Sequence, residues 1–446
     1  MRATIFRELR ELFRLAIPVA VAQAGMQLMG LVDVAVLGRL GPRELAASGV
    51  GNAVFFTVST VGIGIVLGID PLIAQAVGAG DHLRARRVMW QGAWLASLVT
   101  AALTVVLLVA AYLLPVIGAP ELIEDARGFL IVRTTSLLPF LLFFVVRAYL
   151  QAYGRTIPLI VAMVVANILN FAGDLLFVFG GTGPLRWIPP LHVVGAALAT
   201  TICTIVELVI ITIPLRNSPV HHERVDHRFS RPDVAAAFKV GLPIGLHMAA
   251  EFGVFALVAL LAAHAGAQSG AAHQVAISLA SFTFTVAVGV ATAGSVRVGL
   301  AIGARDQNAT RTAGHVAFIG GTMVMGTSAI LFAFFPRALA RLVTDQPRVL
   351  ETAIPLLLVV AFFQISDGIQ AVGAGVLRGA GDTRFTFYAN VVGHWLIGLP
   401  IALLLGFHYD WGVVGLWWGL CVGLTIVAVT LFIRFERLSR KAIAPI

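Results

Sequence analysis

Charge is scarce in this 446-residue chain. Only 12% of its residues are Asp, Glu, Lys or Arg, 59% are hydrophobic, and the mean hydropathy is +0.93. Soluble domains carry about 25% charged and 45–50% apolar residues, so the composition excludes a water-soluble globular fold and indicates an integral membrane protein. Cysteine is scarce too: Cys203 and Cys421 both lie in apolar segments, which excludes a disulfide framework and redox chemistry and leaves two small buried side chains. No Gly-x-x-x-x-Gly-Lys phosphate loop, no Gly-x-Ser-x-Gly elbow and no histidine pair spaced for zinc on one helix occurs. An ATP-driven pump would therefore have to borrow its nucleotide site from a partner. A polytopic membrane enzyme, a protease or transferase, is left as a rival without a motif, and no cofactor is expected.

The net charge of +9 could suggest nucleic acid, but its distribution indicates membrane orientation, and no nucleic-acid partner is expected. Segments of about 20 apolar residues span a hydrocarbon core, and twelve qualify: 12–37, 45–72, 88–115, 128–150, 157–180, 192–215, 236–264, 270–300, 312–335, 350–377, 384–407 and 412–434. The first is too long for a signal-peptide core of roughly 7–15 residues and is expected as a retained helix. Of the 31 lysines and arginines, 23 fall in the termini and alternate loops on one side and 8 on the other. The positive-inside rule then places both termini in the cytoplasm. The expected location is the cytoplasmic (inner) membrane, with lipid as the surrounding partner and a monomer as the working form.

The chain also repeats itself. Shifting Pro243 back by 225 positions reaches Pro18, and Gly303-Ala-Arg-Asp306 reaches Gly78-Ala-Gly-Asp81; Gly154 and Gly381 match at 227. The expected fold is all-α, with twelve transmembrane helices in two six-helix lobes, 1–215 and 234–446, joined by a cytoplasmic linker at 216–233. Six helices return the chain to its starting side, so the lobes are expected to share orientation about a pseudo-twofold axis along the membrane normal. His221, His222 and His227 beside Glu223 and Asp226 give the linker scattered imidazoles, but without cysteine or regular ligand spacing it reads as a solvated loop. Arg147 and Arg297 are expected to snorkel without buried partners, and Trp90, Trp94, Trp187 and Trp411 to anchor helix ends at the interface.

Two polar constellations interrupt the apolar segments. Glu251 and Asp367 each lie roughly 11–15 residues from a cytoplasmic helix end, near mid-membrane at 1.5 Å per residue. A charge there costs roughly 2.5–3.5 kcal/mol on insertion scales and usually faces a bundle interior or aqueous cavity. Two such acids in one cavity suit exchange of a proton, a metal cation or a cationic substrate. His247, four residues before Glu251, shares its helix face. In the first half, Asn167, Asn170 and Asp174 form a polar stripe at i, i+3, i+7, with Asp33 and Thr200 at comparable depth. Asp33, Asn170, Asp174 and Thr200 form an all-oxygen set suited to a hard cation such as Na+; interhelical polar glue is the competing account.

Val32-Asp33-Val-Ala-Val-Leu-Gly38, Ala74-Gln75-Ala-Val-Gly78-Ala-Gly-Asp81, Ala272-His273-Gln274-Val275 and Leu377-Arg378-Gly-Ala-Gly-Asp-Thr383 together resemble the multidrug and toxic compound extrusion (MATE) transporters, especially the NorM-like branch, over about 15–435. The resemblance implies export of amphipathic, often cationic small molecules in antiport with Na+ or H+ by alternating access. It places Asp33, Glu251 and Asp367 at the family's acids on helices 1, 7 and 10, and Asn170, Asp174 and Thr200 at cation-binding positions of the first lobe. Phe363 departs from the branch, whose sodium sites place a tyrosine there, so the second-lobe acids are expected to respond mainly to protons. The rival within the superfamily is a lipid-linked sugar flippase, for which more cationic cavity residues would be expected.

Overall fold

The computed structural model of the chain describes residues 2–117, 120–217 and 225–446. Among the described residues, eleven helices are long and apolar enough to cross a membrane, and up to twelve if a bent pair is one span. They are α1 (Arg2–Leu37), α2 (Pro42–Gly78), α3 (His82–Ile117), α4 (Pro120–Thr134 and Leu137–Ala152), α5 (Ile157–Phe179), α6 (His192–Thr212), α7 (Arg231–His264), α8 (Ala267–Gly303), α9 (Gln307–Phe334), α10 (Pro347–Gly379), α11 (Thr383–His408) and α12 (Gly412–Ser439). His221, His222 and Glu223 of the linker lie outside the described residues. The most apolar stretch of α3 is only 17% buried, as expected of a helix that turns most of its surface to lipid.

Two helices depart from the continuous spans expected of them, and proline accounts for both. A proline ring collides with the carbonyl four residues before it and supplies no N–H. Pro139 therefore acts on Thr135, where α4 bends by 41°. The hydroxyls of Thr134, Thr135 and Ser136 each donate to a carbonyl three or four residues back, at 2.6–2.7 Å, and such back-bonding competes with the helical ladder. Pro71 likewise acts on Leu67, where α2 is interrupted between Val66 and Ile69.

The duplicated Gly-Ala-x-Asp motif ends one helix and starts the next. Gly80 and Arg305 occupy equivalent left-handed positions, at φ 76° and 56°. One residue on, Asp81 Oδ1 accepts from Arg84 N at 2.9 Å and Asp306 Oδ1 from Ala309 N at 2.8 Å, capping α3 and α9. Gly154 and Gly381 repeat the left-handed turn at φ 69° and 80°.

The chain forms two compact units, neither of them a contiguous half. One contains Met1–Ala20, Asp70–Gly80 and Leu246–Ile446, and the other Val21–Ile69 and Asp81–Gly245. The division thus cuts within α1, α2 and α7, whereas the sequence suggests a boundary at the linker. Within the second unit, α2 and the first part of α7 touch backbone to backbone: a Cβ on Gly64 would lie 2.3 Å from Gly245 Cα, and one on Gly241 would lie 1.8 Å from Ile65 O. Within the first unit, Gly289 of α8 meets α1 in the same way, 2.7 Å from Ala16 O. Adding 225 to Gly64 and Ala20 gives Gly289 and Gly245, so one crossing is built twice. Small residues permit such close approach, where packing and weak polar contacts replace the hydrophobic effect.

The charged and aromatic residues at helix ends are more engaged than snorkelling implies. Arg297 donates to Glu8, and Arg147 is buried with its guanidinium 4.5 Å from the Phe144 ring. Desolvation at these depths favours a partner over an unsatisfied cation. Trp90 and Trp94 hold the linker: Trp94 Nε1 donates to His227 O at 2.9 Å, and the Trp90 and His227 rings lie 4.5 Å apart. Gln91 extends the clamp to Arg228 O and Ser230 N, and Arg87 pairs with Asp233 at 2.9 Å.

Candidate functional site

Within the second unit, α1, α5 and α6 assemble a centre around Asp33. Asn170 Nδ2 donates to Asp33 Oδ1 at 3.0 Å, and Thr200 Oγ1 lies 3.1 Å from Asp33 Oδ2 while also bonding Ala196 O. Asp174, one turn beyond Asn170, is fully buried and within electrostatic range of Asp33. Neither oxygen of Asp174 has a protein partner among the described residues, and neither does Asn170 Oδ1. Three buried oxygens without a donor among the described residues, beside a carboxylate that accepts from Asn170 and shares the Thr200 hydroxyl with Ala196 O, form a donor set that a hard cation or a proton can complete. Asn167 stands apart: its amide donates to Gly25 O and Met163 O at 3.1 and 2.8 Å, joining α1 to α5.

Sequence reasoning missed two members of this centre. Glu207 is buried on α6, seven residues after Thr200 and therefore on the same face. Arg133 comes from the break in α4, donates to Ser136 Oγ at 2.8 Å and lies over the Phe55 ring at 4.6 Å. It is within electrostatic range of both Asp33 and Glu207, so part of the negative charge is balanced internally. The i+7 spacing from Thr200 could have revealed Glu207. Arg133 depends on a helix bend that residue pattern alone did not reveal.

Within the first unit, α7, α10 and α11 build a second centre. Glu251 Oε2 lies 3.2 Å from His247 Nε2, and Glu251 Oε1 accepts from Gln370 Nε2 at 3.3 Å. Asp367, 5% exposed, lies within electrostatic range of Glu251. Phe363 is buried against Phe255 and Trp417, with ring centroids 6.0 and 5.4 Å away. Gln364 donates to Thr283 at 2.7 Å, and the amide oxygens of Gln364 and Gln370 have no protein partner among the described residues. This centre therefore contains imidazole as well as oxygen donors.

The other resemblance motifs turn out to be structural. His273 accepts from Trp417 Nε1 at 3.1 Å. Arg378 approaches Asp70 at 4.0 Å and Ser295 Oγ at 3.4 Å, Gln75 donates to Gly379 O at 3.1 Å, and Asp382 receives Arg434 at 2.7 Å. No group of three or more His, Cys, Asp or Glu among the described residues is arranged to hold a metal ion.

The MatE family profile matches the chain twice, over 18–176 and 243–404, together more than half its length. The two matches begin at Pro18 and Pro243. The chain belongs to the MatE family. Among curated relatives, a probable multidrug resistance protein NorM of Pseudomonas putida is 34% identical over 96% of this chain and 94% of its own, and one of Rhodopseudomonas palustris is 36% identical over 98% and 93%. The multidrug resistance protein NorM of Aliivibrio fischeri is 30% identical over 98% and 96%. Among solved structures, an outward-facing conformation of a multidrug resistance MATE family transporter matches with a TM-score of 0.87 at 23% identity, covering 97% of this chain and 96% of its own. The eukaryotic MATE transporter AtDTX14 matches with 0.85 at 21% identity, covering 98% of both chains. The MatE fold therefore accounts for the architecture of up to twelve spans among the described residues.

Proposed function

We propose that this MatE chain is a secondary active multidrug efflux transporter that exports amphipathic, often cationic compounds in antiport with Na+ or H+ by alternating access. One observation carries the reading: Asp174 is fully buried beside Asp33, with both oxygens lacking a protein partner among the described residues. Two neighbouring carboxylates supply no hydrogen-bond donor unless a proton joins them, and their mutual repulsion falls when a cation binds. The centre thus exists in loaded and unloaded forms of different charge. A ligand with different affinity for two access states shifts their populations, which is all that coupling requires.

Asp33, Asn170, Asp174 and Thr200 suit Na+, because their oxygens can replace hydration without a proton. Glu251 and Asp367 suit H+, since the tyrosine hydroxyl is replaced by Phe363 and imidazoles are nearby. The excess of Lys and Arg on alternate loops supports cytoplasmic termini and insertion in the inner membrane, with the transporter acting as a monomer. Reconstituted vesicles with an imposed Na+ or H+ gradient, loaded with a cationic dye, test the proposal. Dye movement should follow the gradient and stop when it is collapsed; movement that ignores both gradients contradicts ion coupling.

A further inference from the structure

The second centre is bounded on one side by α11, whose helical ladder changes type twice. Thr383–Asn390 is α-helical, Val391–Gly398 is π-helical, Leu399–Leu403 returns to α, and Leu404–His408 is π-helical again. Widening a helix turns its side chains out of α register and recurs at functional sites. The first π stretch is held from both sides. Toward α12, Cβ atoms added to Gly393 and Gly398 of this stretch would lie 2.3 Å from Val427 Cγ2 and 3.0 Å from Gly423 Cα. Toward α7, Trp395 Nε1 donates to Ala250 O at 2.9 Å, one residue from Glu251.

His394 is fully buried in this stretch, and neither ring nitrogen has a protein partner among the described residues. Asn390, four residues earlier, is also fully buried with both amide atoms unpartnered. The charged groups facing His394 come from α7: Glu251 and His247 are both within its electrostatic range. Asp367 on α10 lies within electrostatic range of Glu251. The residues of α12 packed on this stretch, Gly419, Gly423 and Val427, carry no charge. Phe255 covers the imidazole, with centroids 6.3 Å apart.

We infer that His394 is a third proton-carrying side chain of the second centre, exchanging the coupling proton with Glu251 and Asp367. Neither ring nitrogen touches a protein partner among the described residues, so the transfer follows rotation of the imidazole toward Glu251 or runs over a bridging water: a carboxylic O–H breaks, an N–H forms at the free imidazole nitrogen, and a carboxylate and an imidazolium remain. The net charge is unchanged and no other reactant is needed. Imidazole suits the step because it exchanges protons near neutrality, and an imidazolium would find in Glu251 the counter-charge that neutral His394 does not use. The same step lets the centre hold its proton at a second place while Glu251 or Asp367 engages a cationic substrate. The inference rests on the reading that Glu251 and Asp367 carry the proton.

The test is the pH profile of proton-gradient-driven dye export by the full chain in vesicles, compared among wild type, His394→Gln, Trp395→Phe and Glu251→Gln. His394→Gln should export dye at least about tenfold more slowly and lose one titration step from the profile. Trp395→Phe keeps the imidazole but loses the indole bond to Ala250 O, so its profile should move the same way by less; it carries the test if His394→Gln fails to fold. Profiles of both variants that superimpose on wild type after scaling for abundance overturn the inference. Undiminished export by Glu251→Gln would instead overturn the reading beneath it.

Discussion

Asp174→Asn separates a structural carboxylate from one kept for a ligand. Both Asp174 oxygens are buried without a protein donor among the described residues, and a buried polar atom left unsatisfied costs about 1–3 kcal/mol, more when charged. Asparagine removes the charge and adds an N–H group that can donate to the neighbouring Asp33. One acceptor remains unsatisfied in the variant where two were before, so it should unfold with about 2 kcal/mol more stability than wild type in sodium-free detergent. Adding Na+ should reverse the order. A site filled at a hundred times its dissociation constant contributes about 2.7 kcal/mol to wild type and nothing to a variant that cannot bind. Thermal or urea unfolding of both proteins, with choline replacing Na+, reads the two differences. If Asp174→Asn is the less stable protein without sodium, Asp174 already has its partners and the centre is interhelical glue.

Glu251→Gln and Asp367→Asn should insert at wild-type abundance yet lose gradient-driven export; wild-type transport by both at equal abundance would make them structural polar groups. Gly78 and Gly80 are two residues apart but should respond differently to alanine. Gly78→Ala sets a Cβ 2.0 Å from Leu300 O, whereas the Cβ of Gly80→Ala meets nothing within 4 Å and costs only the left-handed backbone, about 1–2 kcal/mol; melting temperatures of the purified variants should rank wild type, Gly80→Ala, Gly78→Ala. Single cysteines placed at 226–230 should react with membrane-impermeant maleimide only after the cytoplasmic face is opened. Labelling of intact cells would invert the topology.

Twelve apolar segments, the 225-residue repeat and four of the acids, Asp33, Asp174, Glu251 and Asp367, were legible because each writes a local signal: length, periodicity, or charge where charge is penalised. Asp33, Asn170 and Thr200 were separately identifiable, and their convergence appears only once α1, α5 and α6 pack. The non-contiguous units were not legible, because glycines at 64, 241, 245 and 289 reveal a crossing only when their partners are known. Arg133 and His394 were missed for a shared reason. Each sits where a helix abandons its regular ladder, at the α4 bend and the α11 π stretch, so a reading based on 3.6-residue periodicity assigned neither to the site it serves.

The central claim is a division of labour: sodium, where used, binds the oxygen centre around Asp33 and Asp174, and the second-lobe acids carry protons. Isothermal calorimetry of Na+ binding to wild type, Asp33→Asn, Asp174→Asn and Glu251→Gln at fixed pH tests it most directly. The account predicts sodium heats in wild type and Glu251→Gln and none in Asp33→Asn or Asp174→Asn. Heats that survive both first-lobe substitutions and vanish in Glu251→Gln would contradict it.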